Sequence, residues 1–179
     1  MELSKDGTSV IGKKIDINCD CLGMSGGWTP AVHLFTQSGG KLKFRNSDNV
    51  FIPNTYNSDQ LCIGACNGDF ELSVIIKNIP DQINEFLNLS EESFKNIKIS
   101  SNKENNYRNI WLLPSDKILG KTKPFVDYQN DATAKDIKLA LREGFRSIEH
   151  VKRYTTTGMG TDQGKLGNMH ALGIIADTA

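Results

Sequence analysis

Gly144-Phe145-Arg146-Ser147-Ile148-Glu149-His150-Val151-Lys152-Arg153-Tyr154-Thr155-Thr156-Thr157-Gly158-Met159, running on into Gly160-Thr161-Asp162-Gln163-Gly164-Lys165, is the stretch that decides how the last third of this chain folds. Before it, Thr133-Ala134-Lys135-Asp136 has the form of a capping box ahead of Ile137, Ala140 and Leu141, which predicts a helix over 134–143 with Gly144 as its left-handed stop. Ser147 then opens a second helix over 148–156 through Ile148, Val151 and Lys152, with Gly158 ending it. The connector between them is too short for anything but neighbouring, antiparallel helices. Asn168 can cap a third helix that carries Met169, Leu172, Ile175 and Ala176 on one face.

The loop between the second and third helices is the most unusual local sequence. Gly158, Gly160 and Gly164 clear an approach for a ligand, Lys165 adds a charge, and the third helix presents free N–H groups, a design suited to an anion or phosphate. A tight turn between packed helices would use the same glycines. The dinucleotide fingerprint G-x-G-x-x-G is missed by one residue, and a helix precedes the loop where that motif needs a strand. The hydroxyls of Thr155, Thr156 and Thr157 either face a ligand or bond back to a helix end. His33, His150 and His170 are scattered, and no nucleophile–base or paired-carboxylate arrangement follows from their order.

Outward from there, 179 residues with 21 basic and 21 acidic side chains make one ordinary domain or two small ones. Zero net charge argues against nucleic acid. No stretch approaches the ~18 uninterrupted apolar residues of a membrane span, and residues 1–10 lack a signal-like apolar core, so the expected location is cytoplasmic. Residues 14–24 alternate Ile15, Ile17, Cys19 and Cys21 with Asp16, Asn18 and Asp20, which predicts a strand entering a buried sheet and stopping at Gly26-Gly27. Thr29-Pro30 opens a short helix over 31–37. Residues 41–44 and 50–52 flank Asn46-Ser47-Asp48-Asn49 as a hairpin, and 60–66 reads as another buried strand. Helices are expected over 70–77 and 80–87, and a strand over 110–113. The spacings of Cys19, Cys21, Cys62 and Cys66 lack zinc knuckles, so these thiols read as reduced and buried on two strands of one sheet.

Two segments together, Met24-Ser25-Gly26-Gly27-Trp28-Thr29-Pro30 with Gly39-Gly40-Lys41-Leu42, and Phe125-Val126-Asp127-Tyr128-Gln129-Asn130-Asp131 with the stretch quoted at the outset, resemble the α subunit of heterotetrameric sarcosine oxidase. The likeness covers about residues 12–179 and an interior slice of a much longer subunit. It implies a mixed α/β chain: 1–78 as the C-terminal part of an FAD/NAD(P)-binding-type oxidoreductase domain, 79–123 as a connector, and 124–179 as a small all-α module. That module is similar to [2Fe–2S] domains of the bacterioferritin-associated ferredoxin type. The positions of their cluster thiolates are held here by Asp127, Gln129, Asp162 and Gly167, which implies no iron–sulfur cluster.

The resemblance further implies a role in oxidative demethylation of sarcosine, with electrons passing to FMN at an interface with a β subunit and on to oxygen. Catalytic residues for the amine would lie on another polypeptide. FMN contacts are expected at Thr156, Thr157, Gly158, Gln163, Gly164 and Lys165, with the Asp162 carboxylate turned away to cap the third helix or pair with Lys165. NAD would touch this chain only at Gly26, Gly27, Gly64 and Ala65, where related reductases end a strand in Gly-Asp and this chain has Gly-Ala. Other readings stay open: an interaction module with vestigial sites, a subunit of a related amine or proline dehydrogenase, or a metal-binding regulator using the four cysteines.

Overall fold

The computed structural model describes residues 2–57, 59–89, 97, 99–100, 109–115 and 119–179. The chain mixes helices with small sheets and divides into two compact units, residues 1–18 with 110–179, and residues 19–109. Among the described residues every sheet is a two-stranded antiparallel pair.

In the 19–109 unit, α1 (His33–Gln37) leads into a hairpin of β3 (Lys41–Arg45) and β4 (Val50–Thr55). Its pairs run Lys43↔Ile52, Phe44↔Phe51 and Arg45↔Val50. Arg45 grips Asp48 across the turn with Nε–Oδ1 at 2.7 Å and also donates to the Gly68 carbonyl at 2.6 Å, which ties the hairpin to the next turn. Phe35, Val50 and Ile52 are buried, and Gly40 lies against the Phe35 ring where any Cβ would overlap it. The helix α1 begins after Val32, three residues beyond Thr29, and has no side-chain cap.

Three expected strands are not formed. Residues 14–24 take up no regular structure, and residues 11–29 are exposed throughout; Ile15, Ile17, Leu22, Met24 and Trp28 are each two-thirds or more exposed. Alternation reports which faces want burial, but a strand exists only where another strand satisfies its N–H and C=O groups, and none pairs with this segment among the described residues. Over 60–66 the positive φ of Gly64 (66°) breaks the extended run, and Gly64–Asn67 closes instead into a 3₁₀ turn ended by Gly68 in the left-handed region. The cysteines are therefore not buried strand residues: Cys19 and Cys21 are exposed, Cys62 and Cys66 half-buried around the turn, and all four are free thiols. Residues 110–113 bend rather than pair.

One helix replaces two. Leu72, Ile75, Ile76, Ile79, Ile83 and Phe86 recur at helical spacing straight through Pro80, and α2 runs unbroken over Leu72–Leu87. Shared periodicity outweighs the β-branched run Val74-Ile75-Ile76 and the donor lost at Pro80. Residues 79–87, at the start of the expected 79–123 connector, lie within this helix, and 90–96, 98, 101–108 and 116–118 of that connector lie outside the described residues.

The second unit opens with a hairpin of β1 (Glu2–Leu3) and β2 (Val10–Ile11), whose turn is held by Asp6 accepting from Ser4 and Thr8; these bonds bring its carboxyl down to about 2. Later come β5 (Phe125–Asp127) and β6 (Ala132–Thr133), then α3 (Ala134–Arg142), α4 (Ile148–Thr155) and α5 (Asn168–Thr178). Ala134, Ile137, Ala140, Val151, Ala171, Ile174 and Ile175 form the core, and α3 packs on both α4 and α5. Small residues let these helices approach closely, and Gly173 leaves the space that the Trp111 ring fills, edge-on to His170 at 6.0 Å.

Candidate functional site

The capping box forms as the residues dictate: the Thr133 N–H donates to Asp136 Oδ2 at 2.9 Å while Asp136 N–H reaches the Thr133 hydroxyl. At the other end of α3, Gly144 at φ 97° lets its N–H bond the Leu141 carbonyl and Phe145 N–H the Ala140 carbonyl, the paired closure of a Schellman stop. Ser147 begins α4 without a side-chain cap bond.

Helix α4 ends earlier than its glycine. Thr156 is the left-handed C-cap, with φ 60°, a costly conformation for a β-branched residue, and Gly158 follows it in the same region at φ 73°. The neighbouring threonines hold it there. The Thr155 hydroxyl donates to the Val151 carbonyl at 2.8 Å and lies 2.7 Å from that of Thr157, whose side chain is completely buried. The Thr156 hydroxyl bonds the Thr155 carbonyl. All three threonines thus bond back to the chain.

Beyond them, the loop is tied by acceptors from the β5–β6 turn. Gly158 N–H donates to Asp127 Oδ2 at 2.7 Å, and Thr161 gives both its N–H and its hydroxyl to Gln129 Oε1, each at 2.7 Å. Asp162 folds back on its own turn, accepting from Gly164 N–H at 3.1 Å and Leu166 N–H at 3.3 Å; it neither caps α5 nor pairs with Lys165. Gly167, rather than Asn168, is the N-cap residue of α5. The Asn168 side chain instead fills the slot between Gly158 and Gly164, where a Cβ on either glycine would collide with its amide, and its Oδ1 is buried with no hydrogen-bond partner. A Cβ at Gly167 would press on the Val126 carbonyl at 2.6 Å.

The electrostatics follow from these bonds. Burial pushes the Asp127 carboxyl up, but donors from Gly158, Asn130 and Gln129 together outweigh it and hold the group below the ordinary carboxylate range. The Thr133 hydroxyl does the same for Asp136. Lys165 is exposed, and the described residues hold no ion pair to it. In the first turn of α5, the amides of Met169 and His170 find no acceptor among the described residues.

Of the residues expected from sequence to bind a cofactor, Thr156, Thr157, Gly158, Gln163, Gly164 and Lys165 share this loop, with Thr157 sealed inside and Lys165 outside. Gly26 and Gly27 stand in the exposed segment, and Gly64 and Ala65 open the 3₁₀ turn, all in the other unit. Asp127, Gln129 and Asn168 are the side chains that shape this loop and that pattern reading left out of the site. The Asp-x-Gln-Asn run that starts at the last residue of β5 is an Asx-turn signal, and it could have flagged Asp127. An open groove of ≈ 380 Å³ beside the start of α3 sets Lys123 and Lys135 against Asp131 and Asp136, and contains none of the expected site residues. Among the described residues no three His, Cys, Asp or Glu side chains gather as metal ligands, and no helix is long and apolar enough to cross a membrane.

Residues 121–179, which hold this whole loop, match the family model described as the sarcosine oxidase A3 domain. The sarcosine oxidase subunit alpha of Rhizobium meliloti (strain 1021) is 34% identical over 176 residues, covering 92% of this chain and 17% of that protein. The subunits alpha of Corynebacterium sp. (strain P-1) and Corynebacterium sp. (strain U-96) are each 31% identical over 173 residues, covering 93% of this chain and 18% of theirs. The chain thus spans less than a fifth of the length of the curated relatives it matches. The resemblance to sarcosine oxidase α subunits read from the sequence is borne out.

Proposed function

We propose that this chain acts as part of the α subunit of a sarcosine-oxidase-type amine oxidoreductase, contributing structure and a cofactor-facing wall rather than the amine site. The match of residues 121–179 to the sarcosine oxidase A3 domain carries this reading. In it, residues 1–78 belong to a dinucleotide-binding oxidoreductase domain, 79–123 connect, and 124–179 form a helical module without a cluster. The exposed alternation of Ile15, Ile17, Cys19 and Cys21 suits a strand whose neighbours come from other parts of such a subunit. NAD would meet this chain at Gly26, Gly27, Gly64 and Ala65. Cytoplasmic residence accords with free, unpaired thiols.

FMN would supply the electron-accepting chemistry, taking electrons from sarcosine oxidation on a β subunit and passing them to oxygen. Its phosphate needs N–H donors and a cation. The loop amides of Gly158, Thr161, Gly164 and Leu166 already serve Asp127, Gln129 and Asp162. What fits the phosphate is Lys165 Nζ with the open amides of Met169 and His170. An iron–sulfur cluster does not fit, because Asp127, Gln129, Asp162 and Gly167 offer no thiolate.

The same hydrogen bonds favour a second reading, an interaction module whose loop is a finished turn. Co-expression with a β subunit and measurement of retained FMN separates the two. Under the first, Lys165→Ala weakens FMN retention by about 1–2 kcal/mol, the worth of a charge-assisted hydrogen bond discounted for exposure. Gly160→Val, whose side chain would displace Gln129, weakens it as well. Unchanged FMN in both variants leaves the turn as a turn.

A further inference from the structure

We propose that Asp127 is the positioning residue of the loop after α4: its buried carboxylate is a built-in anion that gathers the amides of its own turn and the first amide of the loop, Gly158 N–H, before any partner or cofactor arrives. This stands on the loop's own geometry and holds whether or not a flavin ever touches it.

Only 7% of Asp127 is exposed, and no Lys, Arg or His pairs with it among the described residues. A carboxylate so placed persists only where donors replace its water. Four do. Oδ1 accepts from Gln129 N–H at 2.9 Å and Asn130 N–H at 3.1 Å, and Oδ2 from Asn130 Nδ2 at 3.1 Å and Gly158 N–H at 2.7 Å.

Three of these donors lie within three residues of Asp127 and close its own turn. The fourth comes from 31 residues later and is the shortest. It falls two residues after Thr156, the β-branched residue held at φ 60°, and one after the fully buried Thr157. Strained backbone of this kind survives where both sides are fixed. The Thr155 hydroxyl fixes one side and the Asp127 carboxylate the other. The carboxylate therefore sets where the loop leaves α4, and with it the slot between Gly158 and Gly164 that Asn168 fills.

The test uses the 179-residue chain and asks for amide proton shifts and hydrogen exchange at single residues. In the wild type, Gly158 N–H, bonded to a charge at 2.7 Å, resonates downfield and exchanges slowly. Asp127→Ala moves it upfield and speeds its exchange by about tenfold or more, the effect of losing a hydrogen bond to a charged group. Ile137 and Ala140, inside α3, keep their protection. Because the vacated space is lined by amides, excess formate brings the Gly158 signal back toward its wild-type position and chloride at equal ionic strength does not. Should Asp127→Ala fail to fold, Asp127→Asn decides, since an amide cannot accept on both sides and sets its NH₂ against either Gly158 N–H or those of Gln129 and Asn130; in both orientations Gly158 loses a charged acceptor, shifts and exchanges faster. An unmoved Gly158 amide in either variant, or formate acting no differently from chloride, overturns the proposal. FMN retention takes no part in this result, so its outcome is separate from that of the flavin reading.

Discussion

The loop after α4 and the segment over residues 11–29 are both rich in glycine and both carry patterned apolar neighbours, yet one is sewn shut and the other lies open. Between Gly158 and Leu166, four amides find acceptors on Asp127, Gln129 and Asp162. Along 11–29 no residue is buried, and beyond Ile11, the last residue of β2, no strand lies alongside among the described residues. The difference teaches that glycine content predicts neither order nor openness. What matters is whether the polar groups that the backbone exposes are met by acceptors elsewhere in the same chain.

The largest effect that sharpens this contrast is a core truncation. Ile137 is fully buried against Val151 and Ile174, and Ile137→Ala should cost about 2–4 kcal/mol of unfolding free energy by denaturant titration. Ile17→Ala, in the open segment, should stay within about 0.5 kcal/mol. Equal costs would mean that 11–29 is packed in solution.

Next come the two left-handed positions that bracket α4. Gly144 has open space around a built Cβ but φ 97°, so Gly144→Val should lose about 1–2 kcal/mol through backbone strain alone. Thr156→Gly should move the other way, gaining up to about 1 kcal/mol, because glycine accepts φ 60° without penalty. Thermal midpoints of the two variants on opposite sides of the wild type would establish the pair.

A smaller, pH-dependent effect tests the cap of α3. The Thr133 hydroxyl lowers the Asp136 carboxyl, so the folded state binds its proton less readily than the unfolded chain. That contribution is complete above the ordinary aspartate value of about 3.9 and is lost as pH falls through the lowered one. Thr133→Ala should therefore cost about 1 kcal/mol at neutral pH, and the gap to wild type should narrow in acid titrations once pH falls below the ordinary aspartate value. A gap independent of pH would mean the cap works without the charge.

The smallest effect is chemical rather than energetic. Cys19 and Cys21 are exposed, whereas Cys66 Sγ donates to the Ile63 carbonyl at 3.1 Å and burial, then the neighbouring Cys66, pushes the Cys62 thiol up. A thiol reagent followed by mass spectrometry should add two labels quickly and two slowly. Four labels at one rate would erase the distinction between the exposed segment and the 3₁₀ turn.

The helical unit was largely legible because its signals are local: Thr133 and Asp136 stand three apart, and Gly144 follows the last helical turn. The hairpin over β3 and β4 was legible for the same reason, its turn residues lying between its own strands. Strands over 14–24, 60–66 and 110–113 were not, since alternation announces a burial preference but not a neighbour. The expected helices over 70–77 and 80–87 proved to be one, because the apolar stripe continues across the β-branched run Val74-Ile75-Ile76 and past Pro80. At the loop, glycines and Lys165 were visible, while two of the acceptors that occupy its amides, Asp127 and Gln129, sit some thirty residues earlier and carry no periodic mark.

The notch at Gly173 gives the chain an optical asymmetry. Trp111 rests in that notch against α5, while Trp28 stands 79% exposed in the open segment. The two indoles therefore sample opposite polarities. The emission of Trp28 should be red-shifted and reachable by acrylamide, and that of Trp111 bluer and shielded. When a partner covers the open segment, the red component alone should move, so the protein carries an intrinsic colour code for which of its regions has been engaged.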